Sequence, residues 1–188
     1  MVASEKGKLM AQALKAVADL HSSTSRMLMD CDLFFRKEGQ KSLFGNTVTR
    51  DLTYSVDAVM WMAEGVFRYW ELGNGTVAAV VAMFHDKWSS PPRFAEPLVV
   101  FGRLQYKKNQ EKDTGREDCQ GWDLWTVAVD PKCQKDRGPQ TIKPTGALAD
   151  RIEEVSYCIV SPFELEKFED LRLNLEKVGL GDFLSPVT

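Results

Sequence analysis

Nine consecutive uncharged residues, Thr76 to Phe84, read TVAAVVAMF, and they follow the dipeptide Asn74-Gly75. Asn-Gly supplies the positive φ angles of a tight hairpin turn. The run before it, Phe67 to Glu71, is also rich in β-prone side chains. A hairpin is therefore expected here. Its second strand places Val77, Ala79, Val81 and Met83 on one side and Ala78, Val80, Ala82 and Phe84 on the other. A strand apolar on both sides must be central and covered twice. The alanines imply a close neighbour such as a packed helix. The second sheet face must be covered either by more of this chain or by a second subunit, and a homodimer is one expectation that follows.

Further strands are expected at residues 98–106 (LVVFGRLQY), at 121–129 (GWDLWTVAV) and around Val155, Tyr157 and Ile159. A Pro-rich turn lies at 89–97, and a charged loop at 107–118. A longer connection follows at 130–146, and residues 147–153 suit a helical turn.

Residues 5–37 read as one long helix. Met10, Ala13, Leu14, Val17, Leu20, Met27, Leu28, Cys31, Phe34 and Phe35 recur at gaps of three and four, which sets them on one face. The run Ser22 to Ser25 is a poor helix former and a candidate break. Residues 39–55 look irregular, and 56–64 suit a short helix. Near the C-terminus, Ser161, Pro162 and Glu164 have the pattern of a capped helix start. Phe163, Phe168, Leu171, Leu175 and Val178 would form its buried stripe, with Gly179 as the stop. The expected class is α+β: a mostly antiparallel sheet of four to six strands, with a long N-terminal helix and a C-terminal helix packed on it, in one domain spanning 1–188.

Composition narrows the function classes. The net charge is −3, which disfavours a dedicated nucleic-acid binder. Cys31, Cys119, Cys133 and Cys158 include no C-x-x-C pair, and only His21 and His85 could assist them, so no metal or other cofactor is expected. No run of 18 apolar residues and no export signal is visible, so a cytoplasmic chain with reduced cysteines and no membrane span is expected.

Five features could carry chemistry. Asp30-Cys31-Asp32 is a D-x-D, but helical periodicity points its carboxylates about 200° apart, so it reads as solvated helix surface. His85 could act as a general base. Asp86 on the opposite side of a strand could not orient it, and Arg103 and Asp123 are the plausible helpers from neighbouring strands. Trp88, Trp122 and Trp125, with Trp61 and Trp70, suit either a core or a ligand cavity. The 130–146 connection has a small basic excess from Lys132, Lys135, Arg137 and Lys143. Cys133 lies among those lysines as an incidental thiol or a nucleophile. No phosphate loop or nucleophile elbow is present.

The leading expectation is a non-catalytic binding or regulatory module with a protein or small-molecule partner. The alternative is a small hydrolase or transferase centred on His85, with Arg103 and Asp123 assisting.

Overall fold

The computed structural model describes residues 4–37, 40–44, 64–86, 90, 92–107, 123–130, 132–133 and 136–186. The short helix expected at 56–64 and the charged loop at 107–118 lie almost wholly outside these residues.

The fold is α+β. Helix α1 (Glu5–Phe34) precedes β1 (Lys41–Ser42), β2 (Gly65–Gly73), β3 (Thr76–Met83) and β4 (Leu98–Tyr106). Helix α2 (Asp123–Ala128), β5 (Gln140–Ile142), β6 (Ile152–Val160) and α3 (Phe168–Lys177) complete the order. The six strands form one antiparallel sheet in the order β1-β2-β3-β4-β6-β5.

The hairpin forms as its sequence dictates. Asn74 and Gly75 turn the chain with φ of 52° and 71°. Strand β3 pairs with β2 on one side and β4 on the other, and all its residues are buried. Val77, Ala79, Val81 and Met83 pack with Leu124, Trp125, Val127 and Ala128 of α2. Ala78, Val80 and Ala82 pack with Leu28, Cys31 and Phe34 of α1 and with Leu171 and Leu175 of α3. Helices of the same chain therefore cover both faces of β3, and no second subunit is needed to shield it.

Residues 123–128 form α2 where a strand was expected. Leu124, Trp125, Val127 and Ala128 are β-prone or neutral in type, yet their i, i+1, i+3, i+4 spacing is helical and all four are buried. Gly102 makes room for this helix on the sheet, because a Cβ there would lie 2.6 Å from Leu124 Cδ1. The 130–146 connection is also more ordered than its composition implies, since it contains the edge strand β5.

The C-terminal helix starts later than its first signal. Ser161 Oγ accepts from the N–H of Phe163 at 3.4 Å, but the turn Pro162–Glu164 ends after three residues. A stronger cap lies downstream, where Asp170 accepts from the backbone N–H groups of Lys167 (2.8 Å) and Glu166 (3.1 Å) and fixes the start of α3 at Phe168. Phe163 is thereby left out of the buried stripe and is 71% exposed. Gly179, at φ 78°, follows the end of α3 as expected.

Candidate functional site

Helix α1 is unbroken through Ser22–Ser25. Thr24 keeps its hydroxyl satisfied by donating to the Leu20 carbonyl at 2.9 Å. At 30 residues the helix is about 45 Å long, whereas a nine-residue strand spans only about 30 Å. Its C-terminal half is held against the sheet through Thr24, Leu28, Cys31 and Phe34, all buried. Residues 4–19 are all exposed. The apolar stripe does not stop where the cover stops. Met10, Leu14, Val17 and His21 continue the same alternation of four- and three-residue steps that runs through Thr24, Leu28 and Cys31. Met10 is 69% exposed and Leu14 67%.

Where the helix leaves the body, a groove of about 680 Å³ opens beside it. Val17, Leu20, Thr24 and Met27 form one wall, and Pro162, Phe163 and Leu165 form the other. His21, at the border between covered and bare helix, packs against Phe84 with ring centroids 4.5 Å apart and the rings tilted by 34°. Seven large apolar side chains are exposed among the described residues, and five of them (Leu9, Met10, Leu14, Val17 and Phe163) belong to this groove or to the helix stretch that leads into it. Clustering of this kind marks an interaction surface, whereas scattered apolar residues do not.

The residues singled out as catalytic do not converge. Strand β3 runs antiparallel to β4 with Ala78 opposite Arg103, which places Arg103 beside the start of β3 and far along the sheet from His85, which follows the end of that strand. Arg103 bonds Glu154 (3.2 Å) and the Gly179 carbonyl (3.4 Å) on the α3 face. Asp123 lies on the opposite face, fully buried, accepting from the Tyr106 hydroxyl at 2.7 Å and paired with Arg151. Both ring nitrogens of His85 are buried without a hydrogen-bond partner among the described residues. Its neighbour Asp86 is committed to Arg93 through Nε (2.7 Å) and Nη2 (2.9 Å).

Of the tryptophans expected to line a ligand cavity, Trp88 and Trp122 lie outside the described residues. Trp125 is a buried α2 side chain in edge contact with Phe94, their ring centroids 6.3 Å apart. Trp70 is a core residue stacked on Phe35.

Asp32 of the D-x-D is not plain helix surface. It accepts from Arg68 Nε (3.0 Å), Arg68 Nη2 (2.7 Å) and Trp70 Nε1 (2.8 Å), and so ties α1 to β2. Asp32→Ala is expected to cost about 2–3 kcal/mol, the scale of losing hydrogen bonds to a charged group. Urea unfolding measures this, and an unchanged midpoint would show that the tie is unimportant.

The described cysteines are core residues. Burial pushes the Cys31 thiol far above its ordinary range and raises that of Cys158 to about 11. Cys133 is buried at the edge of a smaller cavity of about 280 Å³, which is also lined by Asp130, Lys132 and Lys143. Arg137 of the same connection pairs with Glu96 at 2.8 Å. No cluster of metal-ligating side chains occurs among the described residues, and no helix among them is long and apolar enough to cross a membrane.

No known protein family, curated protein or solved structure matches this chain.

The sequence pattern sets the apolar residues of α1 on one face and does not say how much of that face is covered. The signal that half of it must be bare is geometric: the apolar periodicity runs longer than the strands that could cover it.

Proposed function

We propose that the chain is a protein-binding module whose working surface is the groove between α1 and the Pro162–Leu165 segment. A single observation carries this reading: the apolar stripe of α1 runs out of the core at Leu20 and continues uncovered past a groove with an exposed phenylalanine on its far side. An amphipathic helix is the segment that fits such a surface, since it lays anchors spaced three and four apart into an apolar channel. A small molecule fits less well, because the stripe from Met10 to Val17 extends beyond the groove and a compact ligand would leave it bare. The alternative centred on His85 has less support, because Arg103 and Asp123 lie away from it and on opposite faces of the sheet.

The test is a titration of a short synthetic amphipathic helix of leucine and lysine into the isotope-labelled full chain, followed by amide chemical shifts. Shifts confined to residues 10–27 and 162–166, and abolished by Phe163→Asp, are expected. Shifts elsewhere, or none in any variant with an open groove, would reject the reading.

A further inference from the structure

Building on the groove reading, we propose that its occupant is the exposed half of α1 from a second copy of this chain, docked antiparallel across a two-fold axis near Val17 and Ala18. Each copy then supplies one groove and one helix, as a self-complementary two-fold contact requires.

Charge fixes the direction. In the exposed half of α1, Lys15 is neutralised by Asp19 at 2.6 Å, and Glu5 offsets one of Lys6 and Lys8, which leaves one net positive charge near the helix start. The positive end of the helix dipole lies there too. The groove border is acidic: Glu164 and Glu166 are exposed, and Glu166 lines the groove beside Leu165. An antiparallel register that sets Leu14 against His21 of the second copy brings Lys8 level with Met27 of that copy. Met27 belongs to the groove wall opposite Leu165 and Glu166. Lys6, on the stripe side of the helix, therefore meets the acidic border while Met10 and Leu14 enter the apolar channel, and Lys8, about 160° around the helix from Met10, adds only longer-range attraction. A parallel arrangement would set Lys6 and Lys8 against their own copies and leave Glu164 and Glu166 unanswered.

The flanking residues also suit close approach. Ala11, Ala13 and Ala18 border the stripe, so two helices can meet along it without bulky obstruction. Among the described residues nothing covers the exposed half of α1, and a helical stretch of this length is marginal in water unless its apolar face is packed. A second copy supplies that packing for both chains at once.

Sedimentation equilibrium of the full chain across the micromolar range tests the proposal. The wild type is expected to be a dimer. Leu14→Asp, an exposed position outside the groove wall, is expected to be a folded monomer that keeps the sheet core and loses the stabilisation the second copy supplies to the exposed half of α1. Reversing Lys6 and Lys8 to glutamate is expected to weaken the dimer about tenfold, as is reversing Glu164 and Glu166 to lysine. Carrying both reversals in one chain restores it. A monomeric wild type, a dimer indifferent to Leu14→Asp, or a doubly reversed chain that stays weak each overturns the proposal. The groove reading is judged separately on Leu14→Asp, whose groove is free in every case. If the synthetic helix shifts residues 10–27 and 162–166 there while the wild type is monomeric, only the second-copy assignment fails. If the helix shifts nothing, both fail.

Discussion

Asp86→Ala is expected to lower stability by about 3–5 kcal/mol, the usual cost of removing one partner of a buried ion pair. For a chain of this size that is a fall of roughly 6–20 °C in melting temperature. The Asp86 side chain is fully buried. Its Oδ2 accepts from the backbone N–H of Arg93 at 2.9 Å and from Arg93 Nε at 2.7 Å, and its Oδ1 accepts from Arg93 Nη2 at 2.9 Å. The hydrogen bond to Asp86 is the main reason the Arg93 guanidinium is held even more firmly protonated than usual. These contacts close the connection between β3 and β4 on itself. Alanine removes all of them and leaves the guanidinium without that carboxylate. Calorimetry on Asp86→Ala, Arg93→Ala and the double variant gives the coupling directly. The double variant is expected to be less impaired than the sum of the two singles. Additive losses would show that the pair does not act as a unit.

The framework of the sheet was legible because its signals are local. Asn74-Gly75 fixes the hairpin by backbone conformation alone, and the two-sided apolarity of Val77 to Met83 fixes its central place by burial. The strand at Leu98–Tyr106 and the one containing Val155 to Ile159 carry enough β-branched and aromatic residues to stand alone. The misread element, Asp123–Ala128, has β-prone residues held in a helix by the tertiary space above Gly102. That space depends on a glycine from another strand, which no local pattern reports. The start of α3 was misplaced for a related reason. Two capping signals compete within ten residues, and the side chain of Asp170, six residues after Glu164, wins by satisfying two N–H groups.

The candidate site was half legible. The stripe on α1 is plain in the sequence, but periodicity records only that a face is apolar, not what covers it. Whether Met10 and Leu14 are core or surface depends on where the sheet ends, and that in turn depends on strand pairing. Phe163 became part of the groove only because the helix expected to bury it begins later. Asp32 was read as solvated because helix geometry separates it from Asp30. The partners that matter, Arg68 and Trp70, lie on a strand more than thirty residues away.

Asp123→Ala is the second large effect expected, again about 3–5 kcal/mol. The side chain is 1% exposed and lies at the first residue of α2. There it accepts from the hydroxyl of Tyr106 at the end of β4 and pairs with Arg151 just before β6. A carboxylate in the first helical turn also complements the helix dipole. One side chain thus joins three elements that are far apart in sequence. Asp123→Asn keeps the shape and can still accept from Tyr106, but it gives up the charge opposite Arg151, so it should fall between wild type and alanine. Arg151→Ala leaves a buried carboxylate with less to compensate it and should cost about as much as Asp123→Ala. Urea unfolding of the three variants provides the measurement. If Asp123 instead were a poorly compensated buried charge kept for chemistry, its removal would relieve that desolvated charge and stability would hold or rise. A midpoint for Asp123→Ala at or above that of wild type would therefore remove the anchoring role assigned to it here and reopen a place for Asp123 in catalysis.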